Sequence, residues 1–91
     1  MPALDPELLS RLLPTYIKTR ESDLAKVYEA LNNSDFLSLQ KLGHKIKGSA
    51  STYGFEKTAE IALKFEHAAQ AKDLESCSML VEQMVALLFQ A

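Results

Sequence analysis

From Leu74 onward, apolar residues return every three or four positions: Leu74, Cys77, Leu80, Val81, Met84, Leu87 and Leu88. At about 100° per residue that spacing gathers all of them on one face of an α-helix. A strand would scatter the same residues over both of its faces. A helix with one apolar face must bury it against others, so the stripe calls for helical partners. The rest of the chain supplies them, because no segment shows sustained two-residue alternation or a hairpin dipeptide such as Asn-Gly. The sequence therefore predicts an all-α protein.

Punctuation divides the chain into helices. Asp5-Pro6-Glu7 suits a helix start, with Asp5 as N-cap, Pro6 at the first helical position and Leu4 able to staple onto Leu9. Leu8, Leu9, Leu12 and Leu13 keep the spacing until Pro14, which is expected to end, kink or restart the helix because its ring clashes with the preceding turn. A second helix follows to about Leu31, with Ile17, Leu24, Val27, Tyr28 and Leu31 inward. Ser34 or Asp35 caps a third, in which Phe36, Leu39, Leu42, Ile46, Ala50 and Tyr53 face the core and Gly54 marks the stop. A fourth covers residues 56–71, with Thr58, Ala62, Phe65 and Ala69 inward, and Asp73 caps the last. Helices of this length with short loops favour an antiparallel up-down four-helix bundle carrying a short extra N-terminal helix.

Ninety-one residues make one domain, residues 1–91, with a single compact core. Ten Lys and Arg against twelve Asp and Glu give a formal charge of -2, without the basic excess of a nucleic-acid binder. The N-terminal residues lack the basic and apolar regions of an export signal, and nothing spans a membrane, so a cytoplasmic location is expected. Cys77 is the single cysteine, cannot close an internal disulfide, and falls on the last apolar stripe as a small core residue.

One stretch, His44 to Gly54, stands apart: "HKIKGSASTYG". The mean direction of the third helix's core stripe lies close to Leu39, and His44 points roughly 140° away from it. His44 is thus expected to face solvent. An exposed histidine with no role is the ordinary case, but its own face carries Lys47 and Gly48 one turn on, Gln40 and Lys41 one turn back, and Ser51 and Leu37 two turns away. Glycine inside a helix costs about 0.5–1 kcal/mol relative to alanine, and on an exposed face it is useful where something must approach closely. Lys41, Lys45 and Lys47 put local positive charge into an acidic chain. Together these features suit a tetrahedral anion attached to a neutral, nucleophilic imidazole nitrogen. Metal ligation fits poorly, because His67 lies on another helix and no Cys or carboxylate shares ligand spacing with His44. A serine or cysteine triad lacks a base and orienter beside Ser49 or Ser51.

The run His44-Lys45-Ile46-Lys47-Gly48-Ser49-Ala50-Ser51-Thr52-Tyr53-Gly54, with Ala62, Phe65 and Glu66 at matching offsets, resembles the histidine-containing phosphotransfer (HPt) domains of two-component phosphorelays. Ile46 stands for a commoner leucine and Thr58 for an expected aliphatic residue. The resemblance implies that His44 is the phosphoacceptor, that Lys47 compensates charge, that Gly48 clears room, and that Glu66 orients the ring with Ser51 as a further supporting residue. It further implies a phosphocarrier without autokinase activity of its own, no cofactor on this chain, and Mg²⁺ on the partner. The partners are then receiver domains of response regulators or hybrid sensor histidine kinases, docking on Leu37, Gln40, Lys41 and Lys45. No glycine-rich phosphate loop follows a strand here, in keeping with that. Two other readings remain at this level: a helical adaptor that docks on a receiver or kinase without being phosphorylated, and a phosphoacceptor segment of a larger chemotaxis-type kinase.

Overall fold

A computed structural model describes residues 5–90 and contains, among them, four helices and no strand: α1 (Pro6–Asn32), α2 (Phe36–Tyr53), α3 (Glu56–Gln70) and α4 (Leu74–Gln90). α1 packs on α2, α2 on α3, α3 on α4 and α4 back on α1, which closes an up-down antiparallel bundle. Phe65, Leu39, Ile46, Val27, Val81 and Cys77 fill its centre, so Cys77 is the core residue its stripe position implied. Burial, reinforced by the charge of Asp73, pushes the Cys77 thiol's pKa up and keeps the sulfur neutral.

The N-terminal turns are not a separate helix. α1 runs unbroken through Pro14 for 27 residues, and the molecule's 39 Å longest extent is close to the length of such a rod. Pro14 removes one backbone donor, but the ring sits on the exposed side while Leu13, Tyr16 and Ile17 pack inward against the core cluster. That packing holds the turn that local preference alone would open. Asp5 caps α1 as expected, accepting from the amides of Glu7 and Leu8 at 3.0 Å each. The Leu4 staple lies outside the described residues.

All three interhelical turns are built the same way. Ser34, Gly54 and Lys72 take positive φ, and the amide after each reaches back to a carbonyl five residues earlier: Asp35 to Ala30, Phe55 to Ala50, Asp73 to Ala68. This is the Schellman reversal, which satisfies the last carbonyls of one helix while turning the chain into the next. Gly54 advertises it in the sequence, whereas Ser34 and Lys72 adopt the same conformation without glycine's freedom.

Asp35 and Asp73 then start the following helices in matching fashion. Each accepts from the amide and the hydroxyl of the serine three residues on, Ser38 at 3.2 and 2.6 Å, Ser76 at 3.1 and 2.7 Å. These hydrogen bonds favour the carboxylate form and hold both pKa values below the ordinary 3.8.

Three residues on α1 are buried where the sequence pattern gave no sign of it: Tyr16, Arg20 and Asp23. Arg20 Nη2 stands 2.7 Å from Asp23 Oδ2, a close ion contact within α1, and Lys45 Nζ of α2 donates to Asp23 Oδ1 at 2.9 Å. Arg20 also lies over the Tyr16 ring, 5.2 Å from its centroid, and Tyr16 packs with Tyr53 and Phe55 at one end of the bundle. Two residues expected inward are more exposed: Tyr28, whose hydroxyl donates to Glu82 Oε1 at 2.9 Å, and Leu74.

Because the folded pKa values of Asp35 and Asp73 are depressed, the stability they add is fully present above the ordinary carboxylate value and is lost as pH falls through the lowered ones. The double variant Asp35→Asn/Asp73→Asn keeps good capping residues but cannot titrate. Its melting temperature, followed by circular dichroism, is expected to fall less than that of the unaltered protein between pH 7 and about pH 2.

Candidate functional site

The distinctive stretch His44 to Gly54 forms the second half of α2, on the flank that faces α3. Leu39, Ile46 and Ala50 anchor α2 in the core, which turns His44 outward, and its side chain is 69% exposed. The ring does not stand alone. Its Nδ1 lies 3.3 Å from Glu66 Oε2 on α3, a carboxylate only 13% exposed, and Nε2 is left as the ring nitrogen without a protein partner among the described residues. Lys47, one turn on from His44, brings Nζ to 3.5 Å from the other Glu66 oxygen. That distance is long for a hydrogen bond, and Oε1 is buried with no hydrogen-bond donor among the described residues. Glu66 therefore sits between an imidazole and an ammonium, with spare accepting capacity.

Gly48 behaves as its position suggested. Beyond the backbone of its own helix and its chain neighbours, a Cβ built there would find no atom within 4 Å among the described residues, so no packing against the rest of the chain asks for glycine. The space beside His44 is open to a visitor. Lys47, Gly48 and Ser51 continue into a shallow groove between α2 and α3, whose α3 wall includes Ala59, Glu60 and Leu63. Leu37, 63% exposed, stands two turns before His44 on the same helix, with Gln40 half-buried and Lys41 exposed between them. Lys41 also adds, after the two Ser38 hydrogen bonds, to holding the Asp35 carboxyl down.

Lys45 has a second contact that the sequence did not announce. Its side chain is 54% exposed beside His44, and its ammonium also donates to buried Asp23 on α1 at 2.9 Å, so it braces the helix pair. A buried carboxylate attracts the nearest flexible cation, and the sequence gave no warning that Asp23 would be buried. Gly43 was also unmarked in the sequence, yet it is buried where α2 crosses α3. A histidine preceded by the smallest residue on the inner side of an amphipathic helix was the available clue.

Among the described residues, no three His, Cys, Asp or Glu side chains converge as a metal site would require. No helix among them is long and apolar enough to cross a membrane.

The fold and this flank together define a helical-bundle domain that presents a carboxylate-backed imidazole to the outside. Residues 11–91 match the Hpt domain family, and the chain belongs to it. It is 27% identical over 77 residues to the phosphorelay protein LuxU of Vibrio harveyi, covering 85% of this chain and 68% of that one. It is 22% identical over 82 residues to histidine-containing phosphotransfer protein 2 of Arabidopsis thaliana, covering 87% of this chain and 53% of the relative. No solved structure matches the chain significantly.

An exposed mid-helix glycine with no contact to make is a cost to the fold. Gly48→Ala is expected to raise stability by about 0.5–1 kcal/mol, which is a few degrees in melting temperature for a domain of this size. Thermal unfolding of the variant checks it; a loss of stability would mean that the site is not open.

Proposed function

We propose that this chain is a phosphocarrier in which His44 accepts a phosphoryl group from a receiver-domain aspartate, or from a kinase, and passes it to another receiver aspartate. The observation that carries the reading is an imidazole 69% exposed whose Nδ1 lies 3.3 Å from the Glu66 carboxylate. A carboxylate opposite Nδ1 favours the tautomer protonated there, which leaves the lone pair on Nε2 for attack. In the transfer, that lone pair forms a P–N bond while the acyl-phosphate P–O bond breaks, and the departing aspartate keeps the electron pair. The ring keeps its Nδ1 proton and becomes cationic. Glu66 faces that charge, and Lys47 is at hand for the phosphoryl oxygens. Onward transfer reverses these steps.

Such chemistry depends on positioning and charge stabilisation more than on covalent work by the carrier, which fits a nucleophile on a rigid helix without nucleotide-binding parts. The membership of the Hpt family and the relatives named for phosphorelay and phosphotransfer support the same role. We assign Mg²⁺ and the acceptor aspartate to the partner, a receiver domain of a response regulator or hybrid sensor kinase, and place the exchange in the cytoplasm. Leu37 with Gln40 and Lys41, and the groove from Gly48 to Leu63, would form the docking face, in a transient contact below about 1,200 Å². A helical adaptor would bind the same receivers without taking up phosphate. Mere docking gives no reason for an imidazole poised between a carboxylate and open space.

Incubation with a phosphorylated receiver and Mg²⁺ is expected to label the chain in an acid-labile, alkali-stable form, and His44→Gln to abolish the label. Binding without label would favour the adaptor, and label that persists in the variant would move the acceptor elsewhere. Lys47→Ala is expected to slow transfer while leaving the thermal unfolding transition nearly in place, since its side chain lies at the rim, 33% exposed.

A further inference from the structure

α2 and α3 pack tightly beside His44, and one residue permits it. At Gly43 an added Cβ would come within 2.9 Å of Phe65 Cδ1 and within 3.3 Å of both Cα and N of Glu66. The first distance lies inside van der Waals contact, and the other two press on backbone, which cannot swing aside as the end of a side chain can. Phe65 itself is fully buried in the core, so it has little room to yield. The residues on either side of this crossing are the two that meet in the site: His44 follows Gly43, and Glu66 follows Phe65.

We infer that Gly43 is a positioning residue for the His44 site: the absent side chain lets the α3 backbone come close enough for the Glu66 carboxylate to hold His44 Nδ1. This goes beyond the role of His44, although its meaning for transfer rests on that reading. The two glycines of α2 then serve opposite purposes five residues apart. Gly48 leaves space open toward the outside, and Gly43 removes space on the inside. Replacing Gly43 with alanine pushes Glu66 away from the ring. A ring freed from the carboxylate loses its preference for the Nδ1–H form, and with it the standing lone pair on Nε2.

The test reads the ring itself. Long-range ¹H–¹⁵N correlations of ¹⁵N-labelled protein, taken where the imidazole is neutral, report which nitrogen of His44 carries the proton. Gly43→Ala is expected to shift His44 from the Nδ1–H toward the Nε2–H tautomer, and Glu66→Met to do the same. The double variant should go no further than either, because both act through one contact. Receiver-to-His44 transfer should slow by about ten- to a hundredfold in Gly43→Ala, the range that losing the partner of an oriented histidine ring costs at metal centres. Adding Phe65→Leu to Gly43→Ala relieves the shortest of the three contacts and should restore both the tautomer and the rate part of the way toward those of Phe65→Leu alone. If Gly43→Ala does not fold, the Gly43→Ala/Phe65→Leu pair carries the test, and failure of that pair to regain the Nδ1–H form overturns the inference. A folded Gly43→Ala with an unchanged tautomer overturns it too, as do tautomer shifts that add in the double variant. Should the unaltered protein take up no phosphate at His44, the phosphocarrier reading fails, while the tautomer experiment still decides what Gly43 does.

Discussion

The contact on which this molecule turns is the crossing of α2 and α3, where Gly43 lies against Phe65 and the backbone of Glu66. Phe65, Leu39 and Ile46 are fully buried on these two helices, and hydrophobic burial fixes how far apart the helices stand. One consequence reaches the surface. Because the helix axes are set by the core, the side chains that emerge beside the seam, His44 from α2 and Glu66 from α3, meet without either needing a flexible reach. The site is therefore held by rigid elements, and its geometry is inherited from packing rather than built by a loop.

Charge is divided around the same seam in a way that leaves the outer face tuned. On the α1 side, buried Asp23 takes Arg20 and Lys45 as partners. On the α3 side, Glu66 takes His44 and Lys47. Two carboxylates thus sort His44, Lys45 and Lys47 of α2 onto opposite flanks. Lys45 becomes part of the α1–α2 interface, and Lys47 stays at the rim next to the imidazole. An isolated reading of "HKIK" makes both lysines equivalent surface charges, and their difference lies entirely in which carboxylate each one meets.

The elements themselves were legible. Apolar spacing located α2, α3 and α4, Asp5, Asp35, Asp73 and Gly54 marked their ends, and the outward direction of His44 followed from angular arithmetic on one helix. Legibility failed where a local rule was overridden from a distance. Pro14 reads as a break, yet Leu13, Tyr16 and Ile17 are drawn to the core strongly enough to carry α1 through it. The sequence breaks at residues 32–35 and at Lys72-Asp73 without showing their conformation: Ser34 and Lys72 adopt positive φ because the Schellman hydrogen bonds and the packing of the helices on each side require it. Asp23 and Arg20 carry no mark of burial in the apolar pattern, and they go inside as an ion pair that Lys45 joins from α2.

Sequence alone determined which residues are helical, where most helices begin, and that an imidazole with lysine and glycine on its own face looks outward, since these follow from periodicity and from caps that act within a few residues. Only the tertiary structure decided which ring nitrogen Glu66 faces and at what distance, that Lys45 meets Asp23, and that Gly43 packs against α3. Those are meetings between residues about twenty positions apart, and no local rule fixes the distance between two helices. Close packing of the core does.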